Sequence, residues 1–194
     1  MIRFSKLALL AAATAAFTFT GCGEDTTPSD ASNVGSVTCV ANDINYTSHI
    51  GLRTFTEVCT IKGQFQDQNV TLDATKLYQL DGEVVIGGDN ANPANLIIPA
   101  NTVLFGGFGD FILISRGSQI NATGTSTNPI IMTSAEDIIG DANASSRGQW
   151  GGLAIAGNGQ INKGTEEAFE FSSIGRTFGG NDDADNSGVV EYVV

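Results

Sequence analysis

The run Asp183-Ala184-Asp185-Asn186-Ser187-Gly188 places side-chain oxygens at its first, third and fifth positions and glycine at its sixth. That spacing matches the opening half of a calcium loop, where hard oxygen ligands gather on one side of a tight turn. The closing glutamate of such a loop would fall at position twelve, where Val194 stands, while Glu191 occupies position nine. Asp183, Asp185, Ser187 and Glu191 are therefore a candidate Ca²⁺ set, suited to a hard cation and not to a softer metal. An Asx-rich turn between strands accounts for the same residues without any ion. A second chemistry would need a basic residue to abstract a proton beside a carboxylate, or two close carboxylates for glycoside hydrolysis. The candidates are Arg116, Arg147 and Arg176 with Asp110, Asp141 or Glu170, and no spacing selects among them. Trp150, the only tryptophan, fits either a sugar-stacking platform or a ring packed beside a strand start. The sequence shows no Ser/His/Asp arrangement, phosphate loop or CxxC pair.

The elements that would carry these residues repeat a short phrase. Leu96-x-Ile98, Ile112-x-Ile114 and Leu153-x-Ile155 are each followed, six residues on, by Leu104, Ile120 and Ile161. Asn101, Gly117 and Asn158 stand three residues after the second apolar position of each copy. Asn and Gly tolerate a left-handed backbone, so each copy reads as a strand, a tight corner and a further inward residue. Ile98, Ile114 and Ile155 are expected inward, Ser115 and Ala156 outward, with positive φ at most corners. Val84-x-Ile86 with Asp89 is a degenerate fourth copy, inside the alternation Tyr78, Leu80, Gly82, Val84, Ile86. Pro129–Thr133 reads as a further strand and Glu136–Gln149 as an outward excursion of turn formers. Unequal spacing between copies fits a β-helix with variable loops. In that setting Arg116, just before Gly117, has a bland reading as a hydrogen-bonding link between neighbouring coils.

Composition agrees. Of 194 residues, 41% are apolar but only 15% charged, with 24 glycines, which suits a turn-rich β protein. The formal charge of −12 repels phosphate backbones, so nucleic-acid binding is not expected.

Met1–Lys6 carries Arg3 and Lys6, and Leu7–Phe19 is an apolar and small-residue run too short to span a bilayer. The run ends in Phe19-Thr20-Gly21-Cys22, beyond which composition turns polar. This resembles the lipobox of bacterial lipoproteins, which implies lipidation of Cys22, a signal peptide over 1–21 and membrane attachment through that anchor. Phe19 and Thr20 depart from the usual Leu and small residue of that family. Gly23 rather than Asp after the cysteine implies sorting to the outer membrane, periplasm-facing or at the cell surface. Residues 22–36 read as a flexible acidic tether. Residues 37–77 read as a cap over the first coil, and 78–194 as the coils themselves. With Cys22 spent on lipid, Cys39 and Cys59 remain, and a pair in an exported protein is most simply a disulfide. Together with His49 they lack the spacing and fourth ligand of a zinc site. His49 sits in a polar context and reads as a surface residue.

The phrases Tyr78-x-Leu80-Asp81-Gly82, Leu96-Ile97-Ile98, Arg116-Gly117, Asn128-Pro129-Ile130-Ile131, Arg147-Gly148-x-Trp150-Gly151-Gly152-Leu153 and Phe178-Gly179-Gly180-Asn181-Asp182-Asp183 resemble a group of bacterial surface proteins, many of them lipoproteins. The resemblance covers Tyr78 to Tyr192 and implies an all-β, right-handed parallel β-helix and a surface address, but no activity. Relatives commonly run on for several more coils, whereas this chain stops in a strand without a cap. A truncated product, a partial sequence or an end completed by another chain would each account for that. The expected function is a non-catalytic binding or structural module, with a surface glycan or protein as ligand. The alternative is a polysaccharide-active lyase or hydrolase fragment.

Overall fold

The computed structural model describes residues 34–170 and 175–194. Cys22, the residues read as a signal peptide and most of those read as a tether lie outside the described residues. Strands β1 (Ser36–Ser48) and β2 (Gly51–Phe65) form a long antiparallel hairpin in which Cys39 faces Cys59. Those two cysteines are joined in a disulfide, as the sequence led us to expect.

From Val58 onward, within the segment read as cap, β2 also pairs in parallel with β4 (Leu77–Ile86). β3 (Asn69–Thr71) pairs in parallel with β5 (Asn95–Pro99), and β5 with β8 (Gln119–Thr123). β4 divides its partners. Its first half takes β6 (Val103–Gly106), and its second half takes β7 (Phe111–Ile114). β6 in turn pairs with β9 (Ile131–Ser134), β7 with β10 (Gly152–Ile155), and β8 with β13 (Gly188–Glu191). Two stacks of parallel strands thus rise side by side. Asp110 fixes the bend between the halves of β4. Its carboxylate accepts from the backbone amides of Gly82, at 2.9 Å, and Gly107, at 2.7 Å.

The main core lies between the stacks, where apolar partners repeat in register. Ile86, Ile114 and Ile155 form one column; Val84, Ile112 and Leu153 form the next. The outer faces are not left bare. Tyr46 and Phe55 of the hairpin, with Leu77, Val103, Phe105, Ile131 and Ile138, make a second apolar cluster. The one-turn helix α1 (Ala135–Ile138) supplies Ile138, and its Asp137 accepts the Tyr46 hydroxyl proton at 2.6 Å. Burial, and then this bond, push the Tyr46 hydroxyl well above its ordinary acidity range. Val85, Phe111 and Leu113 make a third cluster, covered by Phe169.

The repeat needs three corrections. Leu96-x-Ile98 does not align with Ile112-x-Ile114; it lies in the other stack, with Leu96 opposite Ile120 and Ile98 opposite Ala122. Both stacks alternate with the same period, so an apolar pair and a corner do not reveal which one they belong to. Ser115 and Ala156 are buried, at 1% and 0% exposure, and not outward. Alternation ends at the corner, where their amides extend the ladder by bonding to Ile86 and Ile114 carbonyls, each at 2.9 Å. Ile155 faces inward by register yet is 42% exposed, because β10 has no further partner beyond β7 among the described residues. The corners themselves agree at Asp89 (φ 55°), Asn101 (φ 72°) and Gly117 (φ 75°), whereas Asn158 is not left-handed.

Candidate functional site

Beyond β10 the chain leaves the stack and builds a groove. Segment 157–160 lies against 179–185 through bonds in both directions. The amides of Gly179, Gly180 and Asp182 donate to the carbonyls of Gly157, Gly159 and Asn158, at 2.8, 3.0 and 2.9 Å. In return Asp185 accepts from the Asn158 amide at 2.8 Å, and Asp183 from the Gln160 amide at 2.9 Å. This contact demands glycine: a Cβ on Gly180 would collide with the Asn158 carbonyl.

Above that floor stands a two-stranded antiparallel ribbon, β11 (Glu167–Ala168) with β12 (Thr177–Phe178). It brings the rings of Phe169 and Phe178 to 5.0 Å between centroids, tilted by 53°. Ile155, Gly157, Gly159, Gln160, Ile161, Phe169, Phe178 and Gly179 enclose about 310 Å³. That lies near the small end of the roughly 300–1,000 Å³ range of ligand pockets. Among the described residues its lining offers two phenyl rings, two aliphatic side chains and one carboxamide, and no titratable group.

Arg116 anchors the ribbon. It is 8% exposed and donates to both Asp89 oxygens, at 2.7 and 2.9 Å. Its Nη1 donates to Glu166 at 2.8 Å and to the Gly179 carbonyl at 2.7 Å. Thr177 of β12 completes the knot by donating to Asp89 at 3.0 Å. The Arg116 hydrogen bonds hold the Asp89 carboxyl below its ordinary value, and the Asp89 bonds raise the guanidinium further above its own. A cation fixed in this way is a structural link and not a proton acceptor.

The other expected site residues fall as follows. Asp110 is committed to the two amides at the β4 bend. Arg147 donates within its own loop, to the carbonyls of Ala144 and Ser146. Arg176 lies near enough to Asp89 to lower that carboxyl further, and its buried Nε has no hydrogen-bond partner. Glu170, Asp141 and His49 are exposed. Trp150 packs against the main core beside Gly106.

The calcium set does not assemble either. Among the described residues no three His, Cys, Asp or Glu side chains converge on a common point. Asp183 and Asp185 hold backbone amides, Ser187 donates to the Ala156 carbonyl at 3.4 Å, and Glu191 lies exposed in β13. Asp182 and Asn186 each accept from the amide two residues on, which is the Asx-turn reading of this run. Sequence reasoning missed Asp89 and Glu166 as Arg116's partners, and the ribbon with its two rings. The phrase Phe178-Gly179-Gly180 was the one available signal, since paired glycines mark close backbone approach.

Stacked, in-register parallel strands with an aromatic groove at one flank define a β-helix protein. Residues 63–194 match the family model described as a pectate-lyase-like β-helix domain. The chain belongs to that family. No curated protein and no solved structure matches it.

Proposed function

We propose that the chain is an exported lipoprotein, anchored to the outer membrane through Cys22, whose right-handed parallel β-helix serves as a non-catalytic glycan-binding module. Parallel crossovers within one sheet are right-handed in almost every case, which supports the handedness. The observation that carries the binding reading is the groove: phenyl rings over a glycine floor, with the Gln160 carboxamide at its edge. Sugar rings bind to aromatic faces through their C–H surfaces and to amides through their hydroxyls. The absence of any acid or base in the described lining favours retention of a ligand over its cleavage. Family membership keeps polysaccharide as the ligand class, and the polysaccharide-active enzyme as the rival.

A glycan array probed with the purified ectodomain, followed by calorimetry on the best binder, tests this. Phe178→Ala should reduce affinity by about tenfold or more, while Arg147→Gln should leave it unchanged. Release of unsaturated or reducing ends from that glycan by the wild-type protein would establish the enzyme instead. Palmitate-analogue labelling of wild type but not Cys22→Ser would support the anchor; equal labelling would refute it.

A further inference from the structure

A second groove lies far along the chain from the first, against the β1–β2 hairpin. The corners that precede β4, β6 and β9 stack as Ala74–Thr75, Asn101 and Thr127–Asn128, and the hairpin end Ile50–Phe55 folds beside them to enclose about 500 Å³. In a chain of net charge −12, this lining contains one cation, Arg53, and no carboxylate.

Arg53 is short of partners. Its guanidinium sits over the Phe55 ring at 4.9 Å, and Nη2 donates to the Ala74 carbonyl at 3.3 Å. Nη1 is closed off from solvent without a hydrogen-bond partner, and the remaining donors make no bond to the described residues. Burial lowers its pKa, and only the neighbouring Tyr46 side chain opposes that shift. A partly dried positive charge without a counter-charge is relieved by an incoming anion. One uncompensated guanidinium balances one negative charge, which suits a carboxylate better than a phosphate dianion.

The rest of the lining narrows the class. Ile50 and Leu52 are exposed, at 39% and 67%, and supply an aliphatic rim. The one aromatic ring, Phe55, is buried, so no flat face is offered to a sugar. Asn101, held left-handed at its corner, has a side-chain amide that bonds to none of the described residues. A free carboxamide donates to and accepts from a peptide group at once.

We propose that this groove binds the C-terminal carboxylate of a peptide or protein chain ending in an aliphatic residue. Arg53 takes the carboxylate, Asn101 the last peptide group, and Ile50 with Leu52 the terminal side chain. The assignment is independent of the glycan groove, which it does not use.

The test uses the disulfide-intact protein and N-terminally labelled hexapeptides whose last three positions vary among Leu, Ile, Val and Ala, each made as free acid and as C-terminal amide. Polarisation titrations should show free acids binding about tenfold or more tighter than amides. Arg53→Gln should erase that difference, and Leu52→Ser should weaken both forms by roughly threefold or more with an unchanged melting temperature. Should Arg53→Gln fail to fold, Asn101→Gly, which keeps the left-handed corner, must still weaken free-acid binding by about fivefold. Equal affinity for acid and amide, or no binding of either, overturns the proposal. Displacement of a bound peptide by a uronate oligosaccharide or by inorganic phosphate at comparable concentration overturns the peptide assignment.

Discussion

Arg116 bridges two carboxylates that are not equivalent. The Asp89 side chain is 22% exposed, whereas Glu166 is 55% exposed and screened by water. Glu166→Gln should therefore cost under about 1 kcal/mol. Arg116→Met strands Asp89 in a partly dry corner without its counter-charge and should cost roughly 3 kcal/mol, read from the urea midpoint. Asp89 also shapes the acid limb. Because its folded pKa is depressed, the native state binds fewer protons in acid than the unfolded chain. Its contribution is complete above about pH 4 and is lost as pH falls through the folded value. Asp89→Asn should lower stability at neutral pH and flatten the loss as pH falls below about 4; an unchanged slope would assign that limb to other groups. Gly117 presents a different constraint. Its φ is +75°, and a Cβ there would meet Asn90 Oδ1 at 2.9 Å. Gly117→Val should cost on the order of 1–3 kcal/mol in a denaturant titration.

Strand columns set the next scale. Ile114 is flanked by Ile86 and Ile155, so Ile114→Ala opens a cavity between covered neighbours and should cost roughly 2–5 kcal/mol. Ile155→Ala, at the half-open end of the same column, should cost under about 1 kcal/mol in the same titration. Comparable losses at the two positions would show that Ile155 is covered in solution. What the sequence revealed follows from the same geometry. Val84-x-Ile86, Ile112-x-Ile114 and Leu153-x-Ile155 were legible as one column because apolar alternation and a corner recur together. Leu96-x-Ile98 was assigned to it wrongly because the second stack uses the same alternation. Arg116 was legible as a link between coils, but its partners were not: Asp89 and Glu166 lie 27 and 50 residues away, and a salt bridge leaves no periodic trace. The Phe169–Phe178 pair was hidden for the same reason, since its ribbon has only two residues on each side.

For the whole molecule, protection should follow position in the stacks. β7 and β8 have strand neighbours on both sides, while β1, β10 and β13 form edges among the described residues. Hydrogen exchange should be slowest in Phe111–Ile114 and Gln119–Thr123 and fastest in β1 and β13. A uniform rate would mean that the stacks open as one unit. The excursion after α1 adds something practical. It leaves between β9 and β10, yet both strands stay in register with β6 and β7, and Ser134 ties its foot to Gln149 at 3.0 Å. Ladder bonds, and not the length of that excursion, keep those two strands in place. Residues 141–146 are therefore an insertion port. A foreign epitope of about a dozen residues placed there should shift the melting temperature by only a few degrees, because loop closure grows slowly with length. The chemistry that this face presents could then be exchanged without rebuilding the scaffold beneath it.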